Sequence, residues 1–125
     1  MADKEYSIKE KNHFYNCLLN SLVLFACEKE YFESLIGPTF APLFELETEF
    51  DYAFLPVVFK NGCEFGNIKQ NLKSRLMDFK EEVDKLPSEI WDWEQLYVNE
   101  EWIRIRQESK KLLKELGEEN RKFEM

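Results

Sequence analysis

The chain has 125 residues, 44% hydrophobic and 15% aromatic, which is enough apolar area to pack one domain and too much for wholesale disorder. Its 25 acids against 17 lysines and arginines leave a net charge of −8. Phosphate backbones and anionic membrane surfaces attract basic proteins, so both are poor partners, whereas a basic protein would be steered toward this chain.

The N-terminus pairs no basic stretch with an apolar run and a small-residue cleavage site, so no secretory leader is expected, and residues 1–6 are expected to fray. Ser7 and Glu10 form a capping box at a helix start. Phe14, Tyr15, Leu18, Leu19, Leu22, Val23, Phe25 and Ala26 then run nearly all round the helix, the mark of a central buried one. The apolar stretch 17–27 is too short for the roughly 20 residues of a bilayer span. With Tyr31, Phe32 and Leu35 continuing it and Gly37-Pro38 as the stop, one helix is expected over 8–36.

Pro42 suits a first helical turn, and Leu43, Leu46, Phe50, Ala53 and Phe54 follow at helical spacing. Residues 45–51 also alternate like a strand. A helix over 41–54 is favoured, because the acids of a lone strand would have little to pair with. Leu55-Pro56-Val57-Val58-Phe59 reads as a helical turn or an extended piece, and Asn61-Gly62 as a turn. Asn67 with Gln70 resembles another N-terminal cap. Ile68, Leu72, Leu76, Phe79, Val83 and Leu86 make an amphipathic stripe that Pro87 ends. A short helix opening at Pro87-Ser88-Glu89 carries Ile90, Trp91, Trp93 and Leu96. Asn99 caps the last helix, whose inner face is Trp102, Ile105, Leu112, Leu113 and Leu116 and whose stop is Gly117, with 118–125 frayed beyond it. The expectation is an all-α fold, a compact single-domain bundle over 1–125 of four longer helices plus one or two short helices.

Chemistry-bearing patterns are few. The single histidine, His13, would need a neighbouring Ser or Cys and an orienting acid to serve a nucleophile. Cys17, Cys27 and Cys63 lack the close-set pairing of zinc ligands and read as buried free thiols in a reducing compartment, the cytosol. The glycines stand too far apart to cradle a phosphate. No metal, no cofactor and no catalytic residue is assigned, and the chain is read as a binding protein.

Charge is unevenly distributed. Residues 41–66 hold five acids and one lysine, a local net charge of −4, and residues 86–103 hold five acids and no base, −5. Large aromatics are interleaved with both blocks. Trp91 and Trp93 are expected on opposite sides of their short helix, so that one is a candidate exposed anchor. The basic C-terminal residues, from Arg104 to Lys122, alternate with glutamates at helical ion-pair spacing, which reads as a solvated face.

Phe14-Tyr15-Asn16-Cys17-Leu18-Leu19, Cys27-Glu28-Lys29-Glu30-Tyr31-Phe32, Gly37-Pro38-Thr39-Phe40, Glu49-Phe50-Asp51-Tyr52-Ala53-Phe54 and Pro87-Ser88-Glu89-Ile90-Trp91-Asp92-Trp93-Glu94 resemble a group of small bacterial contact-dependent growth inhibition immunity proteins. The resemblance spans residues 14–117. It implies a cognate partner bound in the cytosol, the toxin domain at the C-terminus of a large secreted effector, often a nuclease. Independently, an enzyme that cleaves nucleic acid needs a positive cleft, and opposite charge gives its inhibitor a fast on-rate. The expected interface is therefore Glu45, Glu47, Glu49, Asp51, Glu89, Asp92 and Glu94 at the phosphate-binding positions, with Trp91, Trp93 or Tyr97 in apolar contact. The competing readings are a small acidic secretion chaperone or helical adaptor, and an enzyme with an unrecognised pocket.

Overall fold

A computed structural model describes residues 6–37 and 41–124 of the chain. They form six α-helices, with no strand among the described residues: α1 (Ile8–Ala26), α2 (Lys29–Leu35), α3 (Pro42–Ala53), α4 (Pro56–Phe65), α5 (Gln70–Asp84) and α6 (Glu100–Glu115). Two 3₁₀ turns, Ser88–Ile90 and Gln95–Tyr97, link α5 to α6. The fold is all-α. Helix α1 is central: α3, α4 and α6 pack on it, and α5 packs on α6.

The capping box starts α1, with the Glu10 N–H donating to Ser7 Oγ at 3.1 Å and the Ser7 N–H to Glu10 Oε1 at 3.2 Å. From Leu18 to Ala26 every residue is buried. The predicted single helix over 8–36 is instead two helices. Cys27 and Glu28 are both extended, and they separate α1 from α2. A continuous helix of that length would run about 44 Å, beyond the reach of so small a core. The break redirects the chain so that Phe32 is fully buried, edge-on to Trp93 at 5.7 Å. Pro38, half of the predicted stop, lies outside the described residues, as do residues 1–5.

Asn61-Gly62 is not a turn. Both residues lie inside α4, and a Cβ on Gly62 would come within 3.1 Å of the Phe14 and Tyr15 backbone. The glycine lets α4 lie directly on α1, a close approach that only a missing side chain permits. Nor does Asn67 cap α5. It takes a left-handed conformation (φ 51°) just past α4, where the Ile68 N–H reaches the Cys63 carbonyl and the Asn67 N–H the Glu64 carbonyl. This pair of bonds closes a helix C-terminus, and Asn is the residue that best replaces Gly there. Gly117 (φ 76°) does the same for α6, as expected.

The amphipathic stripes of α5 and α6 face inward as predicted, and Asn99 caps α6 by accepting from the Glu101 N–H at 2.9 Å. Aromatic rings join the layers: Phe25 of α1 meets Phe50 of α3 and Phe79 of α5, each at 5.5 Å, and stacks on Trp102 of α6 at 6.2 Å. Trp102 is 1% exposed, and its indole N–H donates to the Ile90 carbonyl at 2.6 Å. Ser109, also buried, ties α6 to α1 through the Leu22 carbonyl at 2.7 Å.

The C-terminal segment is docked, not frayed. Asn20 of α1 pairs with the Glu124 backbone in both directions, at 2.7 and 3.0 Å. Arg121 donates to Asn16 Oδ1 at 2.8 Å, and the Phe123 N–H donates to the Tyr31 hydroxyl at 2.9 Å.

Candidate protein-binding surface

Helix α3 presents its acids in two rows, because residues four apart share a helix face. Glu47 and Asp51 form the outer row and are exposed, with Phe44 and Thr48 at the same helical face. Glu45 and Glu49 form the second row, half-buried on the side facing α1. Burial raises the Glu49 carboxyl, and the neighbouring Glu45 raises it further.

The structure brings part of the two acidic blocks together. Glu47, Phe50 and Asp51 of α3, Asp84 at the end of α5, and Ser88 and Trp91 line one groove of about 340 Å³. Glu89 is exposed in the turn that forms this edge. The remaining candidates point elsewhere. Asp92 accepts from the Glu94 N–H at 3.2 Å and so shapes a tight turn, with both side chains exposed. Trp93 packs on Phe32 of α2 and on Tyr97. The Tyr97 phenol is raised chiefly by burial, and the Arg106 guanidinium lies 4.5 Å over its ring. Arg106 itself, read from sequence as part of a solvated face, is 9% exposed and donates to the Leu96 carbonyl.

The tryptophan expectation is corrected. Residues 88–97 form two 3₁₀ turns with a bend between them, so Trp91 and Trp93 are not on opposite faces of a helix, and both are half-buried. Trp91 packs edge-on against Trp102 at 4.9 Å and serves as a groove wall. The most exposed aromatic amid the acids is Phe44, 65% exposed, with Tyr52 beside Asp51 also exposed. Sequence reasoning left it out of the interface, although it falls off the Leu43, Leu46, Phe50 and Ala53 stripe that faces the core. Beyond α3, Leu55 and Val57 are also exposed at the corner leading into α4.

The ion pairs lie mostly elsewhere. Arg75 of α5 bridges Glu108 and Glu115 of α6, and Arg104 pairs with Glu82 at 2.6 Å, closing the α5–α6 seam. Lys11 takes Glu64, Lys110 takes Glu28, and Arg121 takes Glu118 and Glu124. Among the described residues, no ion pair involves Glu45, Glu47, Glu49, Asp51, Glu89, Asp92 or Glu94; on the groove only Asp84 has a partner, Lys80 at 2.5 Å.

His13 does have a thiol beside it: Cys17 Sγ lies 3.6 Å from Nε2, one turn along α1. The surroundings oppose activation. Burial, and then Glu49, push the Cys17 thiol up to about 11, whereas a nucleophilic cysteine needs its thiolate favoured. Burial likewise pushes Cys63 up to about 11 and Cys27 to about 12. Only Cys63 is fully buried; Cys17 and Cys27 are partly accessible, contrary to the uniform burial expected of them. Among the described residues, no group of three His, Cys, Asp or Glu side chains is placed to hold a metal ion, and no helix is long and apolar enough to cross a membrane. No protein-family model, curated protein or solved structure matches the chain.

Proposed function

We propose that the chain is an immunity protein: it binds a basic toxin domain, of the kind that cleaves nucleic acid, and covers that domain's phosphate-binding cleft with the acidic face of α3. The observation that carries this reading is the set of carboxylates on α3 and in residues 89–94, none of them in an ion pair among the described residues, on two stretches of chain that hold no lysine or arginine. Unpaired surface charge in one sector raises the association rate with an opposite charge more than it raises stability. Phe44, exposed on the same face as Glu47 and Asp51, supplies apolar contact at its centre. The groove between α3 and Trp91 gives the partner a concave seat.

The cytosol, where such a toxin acts, is the compartment this reading assigns. A secretion chaperone of the mixed α/β type fits less well, since no strand occurs among the described residues. The reading is tested by co-expressing the chain with the toxin domain encoded beside its gene and measuring protection and binding. The double reversal Glu47→Lys with Asp51→Lys is expected to slow association by about tenfold or more at low salt and to flatten the salt dependence. Unchanged association and unchanged salt dependence would place the interface elsewhere.

A further inference from the structure

A second concavity, about 510 Å³, contains no residue of α3. It lies between the end of α1, the later turns of α6 and the docked C-terminal segment. Val23, Ala26, Leu113 and Tyr31 give it an apolar lining, and Cys27 adds a thiol that burial keeps protonated. Around this lining stand Lys110, Lys111, Lys114, Arg121 and Lys122, opposed by Glu28 and Glu119. Lys110 is paired with Glu28, and Lys122 sits over the Tyr31 ring at 5.1 Å. Lys111 and Lys114, three residues apart on α6, have no carboxylate partner among the described residues.

We propose that this cavity binds an amphipathic organic anion, an alkyl chain ending in a carboxylate. The apolar lining takes the chain, and Lys111 with Lys114 takes the charge. Such a gathering of cations runs against the net charge of −8, so bulk solubility does not explain it. Lys114, in the last turn of α6, complements the helix dipole, but Lys111 and Lys122 lie outside that turn. The cavity is also built in advance, because Asn16, Asn20 and Tyr31 hold the segment that forms its rim. Its volume is that of a small-molecule site. An extended peptide is a poorer occupant. The backbones of α1 and α6 already satisfy their own hydrogen bonds, leaving a peptide main chain few partners, whereas an alkyl carboxylate needs no backbone partner, only the lysines at its charged end.

The test titrates the full chain with decanoate, below its micelle concentration, and follows the resonances of Val23, Ala26 and Leu113 by NMR. Decyltrimethylammonium and an acidic peptide serve as comparisons. Saturable shifts at these residues with decanoate, weakened by about tenfold or more in the exposed-surface variant Lys111→Glu with Lys114→Glu, support the site. Equal binding of the cationic amphiphile, decanoate shifts centred on Phe44 or Leu55, or an unaffected double variant would overturn it. So would binding of the acidic peptide where decanoate fails.

Discussion

Gly62 decides how closely the two most extensively packed helices meet. In an exposed helix a change to Ala stabilises by about 0.5–1 kcal/mol, because Gly has more backbone freedom to lose. Here the added Cβ would lie 3.1 Å from the Phe14 carbonyl group and the Tyr15 nitrogen. Those atoms belong to a buried central helix and cannot swing aside as a side-chain tip would. Overpacking of this kind costs about 1–3 kcal/mol, so it outweighs the propensity gain. Gly62→Ala is therefore expected to lower stability by about 1 kcal/mol, seen as a lower urea midpoint with an unchanged m-value. A raised midpoint would show that α1 gives way. Sequence alone makes Asn-Gly a turn, and the error is instructive: turn chemistry and close helix approach both call for glycine. Only the third dimension separates them.

At the scale of elements, the C-terminal segment is held by Asn16, Asn20 and Tyr31, and Asn20 alone makes two of the bonds. Asn20 offers its amide to Glu124 as a neighbouring strand would offer a backbone, with one bond accepted and one donated. Asn20→Ala removes both, leaving the Glu124 N–H and carbonyl without their partner. A loss of about 1–2 kcal/mol is expected, together with faster hydrogen exchange at Phe123 and Glu124. If exchange there is unchanged, Arg121 and Tyr31 are sufficient to hold the segment. Nothing in Lys122-Phe123-Glu124 signals docking, since the partners lie about a hundred positions away, in α1 and α2. By contrast, the capping box, the Asn99 cap, the Gly117 stop and the stripes of α5 and α6 were legible, because each is a local pattern of the helix that contains it. The break at Cys27-Glu28 was not: apolar periodicity continues across it, and what forbids a straight helix is the size of the core.

For the whole molecule, the question is why α3 keeps its acids. Glu45 with Glu49 and Glu47 with Asp51 are like-charge pairs one turn apart, each costing about 0.2–0.5 kcal/mol. Asp51 also stands near the C-terminal end of α3, whose last turn holds no base, so the helix dipole disfavours it too. Burial first, and then the neighbouring Glu45, raise the Glu49 carboxyl, so the like-charge pair is felt there as well. The concentration of acid in this part of the chain was evident from sequence, but its unpaired state was not, because that depends on whether the fold brings a base from another helix beside α3, and none of the ion pairs reaches α3. On these grounds Glu47→Gln with Asp51→Asn should raise the melting temperature by about 2 °C at low ionic strength, and the gain should shrink as salt screens the repulsion. The same pair should weaken binding of a basic partner. A variant that is more stable yet binds less well marks side chains retained for interaction at a cost in stability. If instead the neutral pair melts earlier, the two carboxylates contribute to folding, and the acidic face of α3 loses its claim to be a surface kept for a partner.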